Sequence, residues 1–321
     1  MRRFFIYALS FLLLFSLSGC TKSETVLLIE KKISDLGDIT LESGDALEDI
    51  AKMFDNVNAA ESRLVNNASV FFNAKIRYAQ LCIDDIGSVS LDSKEKIDHA
   101  KSAVDLLTEE ECIHLDNINI LNSAVEKYDV LKEKKVKETQ AKLKNLNKEY
   151  DEFTGLTMYK PKVLPKYVNT RCYLLPIIGV IESDGITIPV LAVNYVYYGD
   201  DWIFFENCTV KADDIVMDQH FEYFDVNREI AHGDVYEFAQ VVFPYIGEIS
   251  GELEETIHTL RAIANSQKTM VRFSGENHLH TFTVNAADKA AIKEILDIFE
   301  GLILAFDDSV EFEILLQKIQ L

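Results

Sequence analysis

Ile33, Asp35, Gly37, Leu41, Ser43, Asp55, Asn67, Tyr78 and Leu81 recur 50 residues later as Ile83, Asp85, Gly87, Leu91, Ser93, Asp105, Asn117, Tyr128 and Leu131. So many identities at one offset mark an internal repeat, and a period of this length corresponds to one supersecondary unit that buries its apolar face against a neighbouring copy. The first half of the chain is therefore expected to be a tandem array rather than one irregular domain.

Within each copy the punctuation is that of helices. Gly37 and Gly87 stand where a helix stops, since glycine tolerates the left-handed backbone of a helix end, and Ser43 and Ser93 stand where the next helix is capped. Apolar residues then follow helical spacing, as Leu47, Ile50, Met53, Phe54 and Val57 and again as Ile97, Ala100, Ala103, Val104 and Leu107. Polar breaks come at Asn58 and Thr108, giving about three helices per copy. Residues 68–86 hold no breaker, so the last helix of copy one is expected to run into copy two as a rod. Copy two continues through a lysine-rich stretch, residues 132–148, which reads as a solvated helix face. A helix over 122–153 would be about 45 Å long at 1.5 Å per residue, before Gly155, Pro161 and Pro165 end it.

Beyond residue 166 the period changes. Residues 173–181, 187–198 and 202–211 are rich in β-branched and aromatic types and are separated by Ser183-Asp184-Gly185 and by Gly199-Asp200-Asp201. They are expected to be three antiparallel neighbours, with further strands at 221–224, 236–243, 270–273 and 280–284 and covering helices at 251–264 and 286–302. The expected class is α+β in two domains: a signal segment 1–19, a tether 20–32, repeats 33–81 and 82–131, a connecting helix 132–155 and a sheet domain 156–321.

The chain opens with Arg2 and Arg3, an apolar run over 4–17, and then Leu17-Ser18-Gly19-Cys20. This three-part layout is that of a secretion signal, and the apolar run is short of the ~20 residues a membrane span needs. The Leu-Ser-Gly-Cys ending resembles the lipobox of bacterial lipoproteins, which implies cleavage before Cys20, lipidation of its sulfur and amino terminus, and residence on the extracytoplasmic face of the cell membrane. The 50-residue unit over 26–135 resembles helical repeats of Gram-positive surface proteins, where such repeats act as spacers or interaction modules. Copy one departs from that pattern with Leu41-Glu42-Ser43 where copy two has Leu91-Asp92-Ser93. The turn from Tyr197 to Trp202 resembles one in uncharacterised bacterial lipoprotein modules.

Cleavage removes two arginines and no acid, which moves the net charge from −21 to −23. A field of that sign repels phosphates and excludes nucleic acid as a partner. Cys82, Cys112, Cys172 and Cys208 form no Cys-x-x-Cys pair, and Cys82 with Cys112 is the better disulfide candidate for an exported chain. There is no nucleophile elbow, phosphate loop, zinc helix or calcium loop, and no cofactor is implied. Two constellations remain. His278 and His280, two apart on a strand with Glu276 in phase and His258 on a helix, have the donor types of a zinc site, although surface histidines on a strand edge are more ordinary. Tyr197, Tyr198, Asp200, Asp201 and Trp202 surround a hairpin tip that could stack a sugar or grip a cation, although such aromatics often fold back into a core. The expected function is a lipid-anchored binding protein whose helical stalk carries a sheet domain for a surface protein or glycan. The rivals are a hydrolase using Asp200, Asp201 or Glu206 with a histidine, and a purely structural envelope protein.

Overall fold

The computed structural model describes residues 22–152, 155–165, 171–183, 186–231, 233–247, 249–276 and 278–306; Cys20 and the signal segment lie outside them. The chain divides into two compact units, Met1–Leu131 and Lys132–Leu321.

The first unit is the repeat. Helix α1 (Glu24–Ser34) precedes α2 (Gly44–Asp55), α3 (Ala59–Ser62) and α4 (Ala68–Asp85), and the second copy supplies α5 (Lys94–Asp105), α6 (Glu109–Cys112) and α7, which starts at Ile118 and ends at Leu143. The starts of all three helices in copy two fall 50 residues after their counterparts. Gly37 and Gly87 share left-handed backbone, with φ of 62° and 60°. Helix α4 is unbroken and serves twice. It closes copy one, and its second half stands to copy two as α1 stands to copy one. Asn67 Nδ2 donates to Glu30 O on α1 (2.8 Å), while Asn117 Nδ2 donates to Gln80 O on α4 (2.9 Å).

The serines cap differently from expectation. A single 3-10 turn (Leu41–Ser43, Leu91–Ser93) leads into α2 and α5, and the serine side chains make no cap hydrogen bond to those helices. Ser43 and Ser93 instead accept from the backbone N–H of Thr40 and Ser90 behind them, at 3.0 and 2.9 Å.

The second unit is two antiparallel sheets with helices, and the α+β class holds. Strands β1 (Asn147–Asp151), β2 (Leu156–Lys160), β3 (Tyr173–Ser183), β4 (Ile186–Gly199), β7 (Val226–Ala231) and β8 (Asp234–Pro244) form a sheet of order β1-β2-β3-β4-β8-β7. Strands β5 (Asn207–Ala212), β6 (Ile215–His220), β9 (Thr269–Ser274) and β10 (Leu279–Thr283) form the other, of order β10-β9-β5-β6. Helices α8 (Gly251–Asn265) and α9 (Ala286–Phe306) complete the unit, and α9 lies on β3 and β4. Those central strands are buried on both faces, Leu174, Leu175, Ile177 and Ile178 consecutively or nearly so, as a covered sheet requires. An aromatic chain from Tyr195 through Phe221 and Phe205 to Phe273, with ring centroids 5.1, 5.6 and 4.8 Å apart, ties residues of the two sheets into one core.

Four expectations need correction. The long helix stops at Leu143 and not near Phe153, and Val136, Leu143 and Leu146 enter the core of the sheet unit, so that unit begins before residue 156. Strands β4 and β5 are not neighbours, because β4 pairs with β8 and β5 belongs to the other sheet. Residues 221–224 are no strand: Glu222 N–H donates to Asp225 Oδ2 (2.9 Å) across a 3-10 turn, Tyr223–Asp225. Cys82, Cys112, Cys172 and Cys208 are free thiols, and Cys172 Sγ is bonded to the backbone of Tyr198 instead.

Candidate functional site

The chain leaves β4 at Gly199 and crosses to the second sheet through residues 200–206, and the device that steers it is a buried carboxylate. Glu237 on β8 is wholly buried, and its oxygens accept the backbone N–H groups of Ile203 and Phe204 (2.8 Å each) and Phe205 (2.9 Å). Three successive amides converging on one anion form a concave nest, which here holds Phe204 at φ 50°, a left-handed conformation rare for a bulky side chain. Arg228 on β7 stands 3.6 Å from the same carboxylate through Nε and donates to Tyr223 O (2.8 Å) and Val226 O (3.1 Å).

The consequence appears on the surface. The guanidinium of Arg228 lies between two rings, 5.5 Å from the Phe204 centroid and 4.4 Å from that of Tyr223. Trp202 stacks on Phe204 at 5.8 Å, and Phe224 meets Tyr223 edge-on at 5.3 Å. Phe204, Tyr223 and Phe224 are 45%, 53% and 93% exposed. Aromatic rings around an arginine, held by a buried ion pair yet open to water, have the composition of an interface hot spot. The neighbouring β7 is an edge of its sheet, and Ile230 on it is also exposed. Chemically the platform offers flat apolar faces and a cation that donates to the backbone carbonyls of Tyr223 and Val226.

Of the residues singled out from sequence, Trp202 alone joins this platform, half-buried. Tyr197 is core: its ring lies 5.3 Å from that of His280, its hydroxyl donates to Asp201 O (2.8 Å), and burial pushes its phenol up to about 12. A Cβ on Gly199 would stand 2.1 Å from that hydroxyl, so the turn needs its glycine. Tyr198 bonds Asp234, which pushes its phenol up to about 12 as well. Asp200 and Asp201 are exposed, and Asp201 Oδ1 accepts the Trp202 N–H (2.9 Å). The five residues therefore do not form one ligand-facing tip, because no hairpin exists there to present them.

His278 is exposed, His280 is half-buried against Tyr197, and among the described residues no group of three or more His, Cys, Asp or Glu could hold a metal ion. Residues 204, 223, 224, 228 and 237 escaped the sequence reading. The Glu222-x-x-Asp225 spacing, that of a capping box, is the signal that could have marked the turn. Comparison with protein-family models, curated proteins and solved structures finds no match for this chain.

Proposed function

We propose that this chain is a lipid-anchored, extracytoplasmic binding protein, attached through Cys20, whose sheet unit engages a surface partner with the platform of Trp202, Phe204, Tyr223, Arg228 and Phe224. The observation that carries the reading is the 93% exposure of Phe224 beside an arginine already clamped between two rings. Leaving such rings in water is unfavourable by about 25 cal/mol per Å² of apolar surface, and docking recovers that term. Because Arg228 already supplies the positive charge, the rings suit the apolar and planar groups of a protein or glycan and not a cationic ligand. The acidic chain and the arrangement of the repeats before the sheet unit in sequence fit a surface role. The proposed attachment is the lipid on Cys20; no helix among the described residues is long and apolar enough to cross a membrane.

The test uses the full chain in the producing cell. Phe224→Ser and Tyr223→Ser should each remove the partner recovered by cross-linking at the cell surface while leaving the circular dichroism and melting temperature unchanged. Retention of the same partner by the double variant overturns the platform. Cys20→Ala should lose incorporated palmitate and leave the membrane fraction. A variant that stays there without label overturns the anchor.

A further inference from the structure

The helical unit carries the same groove twice. One, of about 490 Å³, lies between the loop after α1 and α4, where Gly37, Ile39, Val70, Ala74 and Arg77 line it. The other, of about 390 Å³, lies between the loop after α4 and α7, where Gly87, Val89, Ile120, Ala124 and Lys127 line it. Each residue of the second stands 50 positions after its counterpart, and every pair keeps its chemical character. Ala74 and Ala124 are buried, Ile39 and Val89 are half-buried, and Val70 and Ile120 are 54% and 49% exposed. Exposed positions are free to diverge between copies, and two residues beyond Val70 they do: exposed Phe72 is Asn122 in the second copy. An apolar side chain kept open to water at both places is therefore a property of the grooves.

Two further observations choose the occupant. The first is charge. Arg77 and Lys127 are exposed and make no ion pair or hydrogen bond among the described residues, in a chain of net charge −21. A free cation at the same place in both apolar grooves is complementary to an acid. The second is the backbone. The N–H groups of Gly37, Asp38 and Ile39, and those of Gly87, Ser88 and Val89, donate no hydrogen bond among the described residues. Free donors along the rim of each groove match the carbonyls of a peptide main chain, whose bonds supply affinity while the pocket reads side chains. The spacing then sets a motif. Ala74 and Arg77 are about 5 Å apart along the axis of α4, and alternate side chains of an extended peptide face one side about 7 Å apart.

We infer that each repeat binds a short extended peptide of a partner protein: an apolar side chain on Val70 and Ala74 or on Ile120 and Ala124, an acid two positions later on Arg77 or Lys127, and main-chain carbonyls on the loop amides. The chain thus has two equivalent sites, and a partner with two such motifs gains from holding both at once.

Gly37 and Gly87 report on the sites separately. The full chain labelled with ¹⁵N at its 13 glycines, with the two signals assigned by Gly37→Ala and Gly87→Ala, is titrated at low salt with acetyl-Gly-Leu-Ser-Glu-Gly-amide. Both signals should shift and saturate. The same peptide with Gln for Glu, the shuffled Leu-Glu-Ser peptide, which turns the acid to the other side, and hexanoate, an amphiphilic anion without a peptide bond, should each bind at least fivefold more weakly. Arg77→Gln should weaken the response of Gly37 at least fivefold and leave that of Gly87 unchanged, and Lys127→Gln should do the reverse. Phe224→Ser should alter neither, which separates these grooves from the aromatic platform. Silence of both glycines, equal binding of the Gln or shuffled peptide or of hexanoate, or a Gly37 response untouched by Arg77→Gln overturns the sites.

Discussion

Glu237 and Phe204 show how one residue far along the chain sets the surface chemistry of another. A carboxylate at zero exposure is stable only if its oxygens are bonded and its charge is matched; the amides of Ile203, Phe204 and Phe205 supply the bonds, and Arg228, 3.6 Å away through an Nε that makes no hydrogen bond among the described residues, supplies the charge. Glu237→Gln keeps the shape but puts an N–H₂ against N–H donors and strips Arg228 of its counter-charge. It should cost about 3 kcal/mol in urea denaturation of the sheet unit, and a loss below about 0.5 kcal/mol would show that the nest does not hold the crossing. Phe204→Gly tests the other side of the bargain. Glycine relieves the positive φ, worth about 1 kcal/mol, and the ring lost is already half in water, so stability should stay nearly level. Trp202, the single tryptophan of the chain, loses its stacking partner in that variant, and acrylamide should quench its fluorescence more strongly than in the parent. Glu237 was partly legible, since it falls in phase with buried Val235, Ala239 and Phe243 along β8. Tyr236 and Phe238 in the opposite phase hide that alternation, and so the anion did not stand out.

At the scale of elements the repeat makes paired predictions. Gly37 and Gly87 share one backbone conformation, and a Cβ would meet nothing within 4 Å at the first and only a carbonyl at 3.9 Å at the second. Gly37→Ala and Gly87→Ala should therefore each cost about 1 kcal/mol, all of it backbone strain, by chemical denaturation of residues 22–131. Unequal losses would mean the two helix ends are not equivalent. In the other unit, Asp297 on α9 is partly desolvated, which raises its pKa, yet hydrogen bonds from Lys135 and Lys142 on α7 outweigh this and hold it below the ordinary carboxylate value. A depressed folded-state pKa adds stability that is complete above the unfolded value of about 3.9 and fades as pH falls through the lower folded one. The α7–α9 contact should thus loosen below about pH 4. Asp297→Asn should flatten that acid limb of the melting temperature, and an unchanged limb would assign the acid loss to other groups. The repeat helices were legible because period and punctuation are local. The role of Ser43 was not, since whether a serine caps forward or backward depends on the turn that precedes it.

For the molecule as a whole, the division at Lys132 means that a helix, α7, contributes residues to both units. A Cβ on Gly301 would stand 1.8 Å from Thr139 Oγ1, so α9 packs on the second half of α7 at backbone distance. Residues 132–321 should consequently fold alone with mixed helix and sheet signal, whereas 160–321, which lacks that half-helix, β1 and all of β2 but Lys160, should be unfolded or aggregate. A cooperative melt from the shorter piece equal to that of the longer one would show the helix to be dispensable. Helix existence, the 50-residue period, the change to strand alternation and the β3–β4 hairpin all lie in short windows of sequence, because capping, helical spacing and turn chemistry act between residues a few positions apart. Strand order is different. The carboxylate that turns the chain after Gly199 lies more than thirty residues further on, at Glu237, and the partner of β4 is β8 and not β5. Pairing between distant segments is selected by the burial of a shared core, and a window that contains one strand holds no information on which other strand completes it. The rings that face water at Phe204, Tyr223 and Phe224 are left outside by that same choice, in segments that the alternation alone reads as strands.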